Sequence, residues 1–349
     1  MRQSAWNSRP TRARITDVAA AAGVSITTVS HALSGARTVN AETRDRILHV
    51  AAELGYAPDR VASGLRRKRT GLVGFVGDFV ATTPFAGKLI AGAREAGLER
   101  DALLLVAESG GDAAAEQRFI DRLLAQRVDG LLIARMYHQR VARPDVPDDF
   151  PIVLVNAAPE SGWRVDGVVP DEAQITRIAC ERLLWEGHRE IAYVGTSDVS
   201  RAARARLIGV RAALGLADLN LPKNRTAFVT SDALGGRAAG AQILDDPHPP
   251  TAVICFNDQI AMGVMQAASR RGMSVPRDLS VIGVDDLPTV ADALDPGLTT
   301  VALPHIEMGS WGMTRLLDRI DKTMLAASGK LQLMPGMLVE RESIAPPSR

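Results

Sequence analysis

Cysteine and histidine are scarce in this chain, and neither is arranged to bind a metal. Only two cysteines occur among the 349 residues, Cys180 and Cys255, and each lies in an apolar segment. The six histidines are scattered without the spacing of a metal site. We therefore expect two reduced thiols in the core, no disulfide framework, no metal and no cofactor.

Long apolar runs are also absent. No uncharged run approaches the roughly 20 residues that a helix needs to span a membrane, and the first residues, MRQSAWNSRPTRAR, lack the apolar core of a signal peptide. We expect a cytoplasmic protein without membrane contact. With 349 residues, of which 46% are hydrophobic, the chain is long enough for two or three domains with substantial cores.

The charge is nearly balanced overall, at +1, but it is distributed unevenly. Residues 1–70 hold 12 Arg and Lys against 5 Asp and Glu, which gives this segment +7 and leaves −6 for the remainder. A small basic segment on a mildly acidic body is typical of a nucleic-acid-binding protein, because phosphate neutralisation supplies most non-specific affinity. We treat residues 1–13 as a disordered basic tail.

Two short helices joined by a tight turn are predicted over residues 14–34. Thr16 is positioned to cap the first helix, and Gly23 supplies the turn that ends it. Ser25 can cap the second helix, whose Val29 and Leu33 turn towards the first. The opposite face of the second helix carries Thr27, Ser30, His31 and Ser34. Short hydrogen-bonding side chains suit base-pair edges in a major groove; a solvated helical hairpin is the alternative.

A third helix favours the helix-turn-helix interpretation. Asn40 can cap a helix over residues 42–54. An apolar stripe on this helix would close a three-helix core: Ile47, Val50, Ala51 and Leu54. Residues 55–58 stop the helix, and Asp59 can cap a further short helix that ends at Leu65.

Beyond Gly71 short β-rich runs such as GLVGFVG, VDGLLIA and TAVICFN alternate with longer helical stretches. This alternation predicts parallel sheets flanked by helices, in two α/β lobes of similar length that face a cleft. Ligands of such sheets collect at the carboxyl ends of the strands. Polar side chains occur at these ends: Asp78, Asn156, Asn257, Asp258, Asp285 and Asp286, with Arg204 and Arg206 opening a helix. For Asp258 and Asp286 we favour a helix-capping role over ligand binding.

Two stretches, ITDVAAAAGVSITTVSHALSG and NAETRDRILHVAAELGYAPDRVASGL, closely resemble the DNA-binding headpiece and hinge of the lactose-repressor (LacI/GalR) family of bacterial transcription regulators. The resemblance implies a headpiece over residues 14–58, a hinge helix and linker over 59–70, and a periplasmic-binding-protein-like body over 71–349. It places the N-lobe at about 71–168 and 304–329, and the C-lobe at about 169–303 and 330–345. It implies a repressor that binds pseudo-palindromic operator DNA as a homodimer.

The resemblance also implies site residues. DNA contacts would come from Thr16, Ser25, Ile26, Thr27, Thr28, Ser30, His31, Ser34, Asn40, Tyr56, Asp59, Ala62 and Leu65. The family's leucine at the hinge wedges into the minor groove, a role that falls here to Leu65. A small polar effector, of the sugar or sugar-derivative class, would contact Arg206, Asn257 and Asp285, with Asn156, Asp78 and Phe85 as further contacts.

The chain departs from the family pattern around the effector. Where sugar-responsive members often present an aromatic ring, the matching positions are Val169 and Ser231, and Leu303 occupies a position that is often polar. Since aromatic residues make up only 4% of the chain, the sequence supports the existence of an effector pocket more firmly than the stacking of an aromatic side chain on the effector.

Two other functions fit parts of the sequence. A nucleotide-dependent α/β enzyme is disfavoured because the chain has no nucleophile elbow and no phosphate-binding glycine loop, and its paired acids have no partnered base. A periplasmic small-molecule binding protein would share the body, but the basic headpiece and the missing signal sequence count against it. We therefore expect a DNA-binding regulator and no enzymatic activity.

Overall fold

The structure, a computed structural model, describes residues 13–34, 37–56, 69–322 and 329–348. The chain divides into two units, residues 1–71 and 72–349. The predicted sites at Asp59, Ala62 and Leu65, and the side chain of Ser34, lie outside the described residues. In the described part, no helix is both long and apolar enough to cross a membrane.

The described part of the first unit contains three of the predicted helices, α1 (Ile15–Ala22), α2 (Ile26–Ser34) and α3 (Ala41–Glu53). Gly23 ends α1 at a φ of 65°, a conformation that glycine adopts without steric cost. Ser25 Oγ accepts a hydrogen bond from the backbone N–H of Thr28 at 3.1 Å, and Asn40 Oδ1 accepts one from Glu42 at 3.0 Å. Both predicted caps are confirmed. The core between the helices is apolar and includes the fully buried residues Val18, Val29 and Ile47.

Two expectations for this unit are wrong. Helix α1 begins at Ile15, so Thr16 lies in its first turn; the Asp17 carboxylate accepts the backbone N–H of Arg14 at 2.7 Å instead. Leu54 follows the last residue of α3 and is 41% exposed. Because Gly55 turns the chain there with a φ of 60°, Tyr56 packs against the core in its place.

The second unit contains two six-stranded sheets. In chain order, the elements up to the middle of this unit are β1 (Leu72–Gly77), α4 (Ala86–Leu98), β2 (Leu103–Glu108), α5 (Ala113–Ala125), β3 (Gly130–Val141), β4 (Ile152–Pro159), β5 (Asp166–Pro170), α6 (Glu172–Trp185), β6 (Ile191–Thr196) and α7 (Arg201–Leu216). Those that follow are a 3-10 turn (Lys223–Arg225), β7 (Thr226–Val229), α8 (Ala233–Leu244), β8 (Ala252–Cys255), α9 (Asp258–Ser269), β9 (Ser280–Asp285), α10 (Pro288–Ala291), β10 (Thr300–Ala302), α11 (His305–Ile320), β11 (Leu331–Met334) and β12 (Met337–Val339).

The strands form two lobes, as predicted. The first sheet has the order β11-β5-β4-β3-β1-β2 and the second β12-β10-β9-β8-β6-β7. All neighbours are parallel except β10 and β12. The chain passes from one sheet to the other after β5, after β10 and after β11. Buried apolar side chains pack on both faces of each sheet, and Cys180 and Cys255 are free, buried thiols.

The expected lobe boundary near the C-terminus is wrong by one strand. Residues 330–345 were expected in the C-lobe, but Leu331–Met334 pairs with Gly167–Pro170 at the edge of the first sheet. Val169 and Pro170 therefore also belong to the first sheet. Only the strand that follows, β12, joins the second sheet.

Helices α4 and α11 lie on the first sheet and pack closely against each other, because glycines occur where the two helices meet. A Cβ atom added at Gly309 would overlap the backbone carbonyl of Leu89, and one at Gly92 would overlap that of Ile306. Gly87, on the exposed side of α4, has no atom within 4 Å of such a position. The two helices thus approach with backbone against backbone at the first pair of sites.

We predict opposite effects of one substitution at two of these glycines. Gly309→Ala should lower the free energy of unfolding by about 1–3 kcal/mol, because the added methyl forces the helices apart. Gly87→Ala should raise it by about 0.5–1 kcal/mol through its higher helix propensity. Urea unfolding followed by circular dichroism measures both, and equal effects at the two positions would contradict the packing.

Candidate functional site

The exposed part of α2 carries the predicted base-reading side chains. Thr27 is exposed and Ile26 is 48% exposed, while Ser30 and His31 are half-buried. The hydroxyls of Ser25 and Thr28 lie 2.8 Å apart, so both hold the start of the helix. The described side chains on the outer face of α2 are therefore mostly short and polar, with Ile26 as a large apolar exception. Of the other predicted contacts, Thr16 and Asn40 are exposed and Tyr56 is half-buried.

A cavity of about 610 Å³ lies between the two lobes. It is formed at the carboxyl ends of β1, β3, β6 and β8, where the sequence predicted a ligand site. Residues of both lobes line it: Asp78, Phe79, Tyr137, Gln139, Arg140, Thr196, Asp198, Val199, Ser200, Arg201, Arg204 and Phe256. Carboxylates, guanidinium groups, hydroxyls and aromatic rings thus line one open cleft between the lobes.

Asp78 is the one predicted effector contact among the residues that line this cavity. Its side chain is buried, and Oδ1 accepts the backbone N–H groups of Phe79 and Met136, each at 2.9 Å. Oδ2 accepts Gln139 Nε2 at 2.9 Å. Asp78 therefore joins the ends of β1 and β3 and orients Gln139 at the cavity wall.

Arg206 is buried behind the cavity wall rather than exposed in it. Its Nε donates to Glu172 Oε2 at 2.7 Å, and its Nη1 donates to the carbonyl of Phe256 at 2.6 Å. The guanidinium carbon lies 4.4 Å from the centre of the Phe256 ring, and that ring lines the cavity. Glu172, which sequence reasoning missed, is the principal partner of Arg206. Its position after the helix cap Asp171 looked like an ordinary acidic first turn.

Asp285 lies beside this ion pair, with Oδ1 3.9 Å from Arg206 Nη1. Burial raises the pKa of Asp285 to about 8, and the neighbouring carboxylates of Asp258 and Glu172 add to the shift. Arg206 and Lys88 act in the opposite direction. One guanidinium is therefore shared among more carboxylates than it can neutralise.

Asn257, not Asp258, caps the helix that follows β8. Asn257 Oδ1 accepts the N–H of Ile260 at 2.8 Å, and its Nδ2 donates to the carbonyl of Ser231 at 3.1 Å. Asp258 instead accepts Leu287 N–H at 2.7 Å and Thr300 Oγ1 at 2.6 Å, and burial raises its pKa to about 7. The capping role expected for Asp258 is wrong, because its side chain points back to the neighbouring strand ends.

The capping role expected for Asp286 is wrong too. Its carboxylate pairs with Arg341 at 2.8 Å, and the helix that follows has no side-chain cap. Its backbone carbonyl accepts Lys88 Nζ at 2.9 Å. Since Lys88 lies on α4 in the first lobe, this hydrogen bond crosses the cleft.

Strained backbone conformations occur inside β4, at Asn156, and at the end of β9, at Asp285 and Asp286. Asn156, Asp285 and Asp286 have φ values of 54°, 114° and 50°, in a region that non-glycine residues rarely adopt. Asn156 Nδ2 donates to the carbonyl of Arg135 at 2.8 Å, while its buried Oδ1 has no partner among the described residues. Strain of this kind costs about 1–3 kcal/mol per residue and is concentrated at functional sites.

The cleft also contains aromatic rings that the family comparison did not locate. Phe79, Tyr137 and Phe256 line the cavity. Val169, one of the two positions where the family often has a ring, is fully buried in a strand. Ser231 lies beside the cavity, where its hydroxyl donates to Thr196 Oγ1 at 2.7 Å. Ring stacking with a ligand is therefore available from positions other than those expected.

Phe85 and His305 form a stacked pair near these groups. Their ring centres lie 4.7 Å apart with an interplanar angle of 4°, and Phe85 meets Tyr137 edge-on at 6.3 Å. Leu303, close to His305 in the chain, is buried and packs in the core of the second lobe. Burial lowers the pKa of His305 to about 3, and the Lys88 and Arg206 cations add to the shift. His305 is therefore held neutral in the folded protein.

His305 should make the body sensitive to acid. Because its pKa is lowered on folding, its neutral form contributes stability above about pH 6.5 that is lost as the pH falls towards 3. We predict that His305→Leu loses less stability than the parent between pH 7 and pH 4.5, measured by thermal unfolding. His248→Gln is the control, since His248 is exposed; an unchanged acid response in His305→Leu would contradict the assignment.

Two family models match the chain. Residues 14–59 match the model described as bacterial regulatory proteins, lacI family. Residues 180–344 match the periplasmic binding protein-like domain. The first match covers the helix-turn-helix unit, and the second covers most of the second lobe and part of the first.

Curated relatives extend the similarity to nearly the whole length. The ribose operon repressor of Escherichia coli (strain K12) is 33% identical over 334 residues, which cover 95% of this chain and 99% of that protein. The HTH-type transcriptional repressor PurR of Klebsiella pneumoniae subsp. pneumoniae is 31% identical over 335 residues, which cover 95% and 97%.

Solved structures show the same architecture. The lac repressor dimer bound to operator and the anti-inducer ONPF aligns with a TM-score of 0.76 at 27% identity, covering 96% of this chain and 100% of that one. The complex of the transcriptional regulator CelR with cellobiose aligns with a TM-score of 0.66 at 28% identity, covering 95% and 100%. The chain therefore belongs to the LacI family and is a DNA-binding transcriptional regulator.

Proposed function

We propose that this regulator is a repressor that binds a pseudo-palindromic operator as a homodimer, and that a sugar or sugar derivative bound between its lobes changes its operator affinity. The observation that supports an effector of this class is the cavity of about 610 Å³ with polar groups and rings from both lobes. The ribose operon repressors and the cellobiose complex among its relatives point to the same class.

The chemistry of the cavity wall suits a polyhydroxylated ligand. Asp78 and Asp198 offer acceptors for hydroxyl groups, and Arg201 and Arg204 offer donors. The rings of Tyr137 and its neighbours provide apolar surface for the faces of a sugar ring. The buried cluster of Arg206, Glu172 and Asp285 would then hold the wall in place, with Asp285 as its most exposed member.

We infer that the protein acts by binding rather than by catalysis and that it works in the cytoplasm, as its repressor relatives suggest. A regulator should bind DNA with an affinity that falls as salt is added, whereas a periplasmic carrier should not bind DNA. A gel-shift with a duplex selected from random sequence should show retention that weakens with salt and changes when a matching sugar is added. No retention at low salt would overturn the proposal.

An effector can influence DNA binding only if it binds two arrangements of the lobes with different free energies. The hydrogen bond from Lys88 to the Asp286 carbonyl joins the lobes at the cleft, next to Asp285. A ligand that contacts residues of both lobes therefore changes the same interface that this bond crosses.

The first functional prediction concerns Asp285. Asp285→Ala should abolish the effector's influence and leave operator affinity without effector close to that of the parent. Coupling free energies are typically 1–3 kcal/mol, so a change of about 5- to 100-fold in operator affinity should disappear. Operator titrations with and without sugar measure it, with folding checked by circular dichroism. A full effector response in the folded variant would exclude Asp285 from the coupling.

The second functional prediction concerns base reading by α2. The family commonly has Arg where this chain has His31, and a guanidinium contacts guanine through two hydrogen bonds that imidazole cannot make. His31→Arg should change the preferred base at one position of each half-site in a binding-site selection. The control is His49→Arg, the same substitution at an exposed position on α3. Identical preferences in both variants would remove His31 from the reading face.

A further inference from the structure

A second cavity, of about 500 Å³, lies entirely within the first lobe. Its walls are the segment that follows β3, residues 143–150, and the connection between β4 and β5, residues 160–165. Arg319 of α11 lines it from a third element. None of its lining residues lines the cavity between the lobes, so the two volumes are separate.

Three guanidinium groups line this cavity, and they differ in their partners. Arg143 pairs with Asp148 at 2.7 Å, and that carboxylate is largely exposed. Among the described residues, no carboxylate lies within ion-pair distance of Arg164 or Arg319. Glu160, the other acid of the lining, is exposed and has no described cation within that distance. The cavity therefore offers cationic groups whose charge is not locally neutralised.

Arg319 is the half-buried member of this set. Its Nη1 donates to the backbone carbonyl of Ile152 at 2.7 Å. The nearby acid Asp166 is engaged elsewhere, since it accepts Arg315 Nε at 2.9 Å and the backbone N–H of Lys330 at 3.0 Å. Burial and the adjacent Arg315 lower the pKa of Arg319, while Asp166 opposes the shift. A cation removed from water beside a second cation is stabilised when an anion binds next to it.

The remaining wall is apolar and aromatic. Trp163 is half-buried and lines the cavity together with Phe150. It follows Gly162, whose φ of 89° turns the chain. Guanidinium groups bind phosphate and carboxylate through paired hydrogen bonds, and an indole face covers the apolar part of a ligand. The combination fits a small organic anion better than a neutral sugar.

We propose that this cavity binds the phosphate or carboxylate group of a small metabolite, with Arg319 and Arg164 as its principal contacts. The site draws on the first lobe alone, so it is available whether or not the cleft holds an effector. The protein would then take two ligands of different chemistry, a polar effector in the cleft and an anion here.

The test uses the full-length protein titrated with inorganic phosphate and, separately, with citrate at constant ionic strength. Calorimetry and tryptophan fluorescence should show saturable binding of at least one of them, with a Kd of about 1 mM or lower. Arg319→Gln should weaken this binding at least tenfold. Trp163→Phe should remove the fluorescence change while calorimetric binding persists.

A matched control separates this site from general attraction to a basic protein. Arg177→Gln removes the same charge from the exposed pair with Glu181 on α6 and should leave binding unchanged. If Arg319→Gln fails to fold, Arg164→Gln decides, because that side chain is exposed; at least a threefold loss is expected. Binding that is equal in parent and variant, or no saturable binding of either anion, would overturn the proposal.

Discussion

Arg206 is the buried charge around which the polar end of the second lobe is organised. It holds the start of α6 through Glu172, the end of β8 through the Phe256 carbonyl, and the ring of Phe256 against its guanidinium plane. A buried ion is costly unless its partners replace the lost water, and removing one partner of such a pair typically costs about 3–5 kcal/mol. The shape of the cleft wall therefore depends on this pair, even though Arg206 itself is largely hidden from the cavity.

The same cluster holds more carboxyl groups than Arg206 could neutralise if all of them were ionised. Asp285 and Asp258 both have raised pKa values, and Asp285 also has an unfavourable backbone conformation. The buried carboxyl groups and the strained backbone thus lower the stability of the fold at the strand ends where a ligand is expected. Such features are common at binding sites. A ligand that donates hydrogen bonds to the ionised Asp285 carboxylate would relieve part of this repulsion.

Local features of the fold were predictable from the sequence. The caps at Ser25 and Asn40 and the turn at Gly23 depend on residues within a few positions of one another. The clustering of polar strand ends followed from parallel topology alone. By contrast, the pairing of β11 with β5 joins segments far apart in the chain, and nothing in either short segment specifies the partner.

The detailed lining of the cleft depended on geometry that sequence patterns do not contain. Residues 135–138 of β3 interrupt its pairing with β4, and this irregularity places Tyr137 at the cavity. Glu172 has the position of an ordinary helix-start acid, and only the packing of α7 against α6 reveals its partner. The family resemblance pointed to the strand ends beside this cavity, but it did not indicate the rings that line it.

The repeated crossing of the chain between the sheets has a consequence for how the protein is made. The first sheet receives its edge strand β11 only after nearly all of the second lobe has left the ribosome, and the second sheet receives β12 later still. Neither lobe can be completed before the C-terminal strands are synthesised. For the same reason, neither lobe corresponds to one continuous stretch of the chain. Until then β5 and β10 are unpaired edges, and a chain that ends prematurely would expose both to pairing with other molecules.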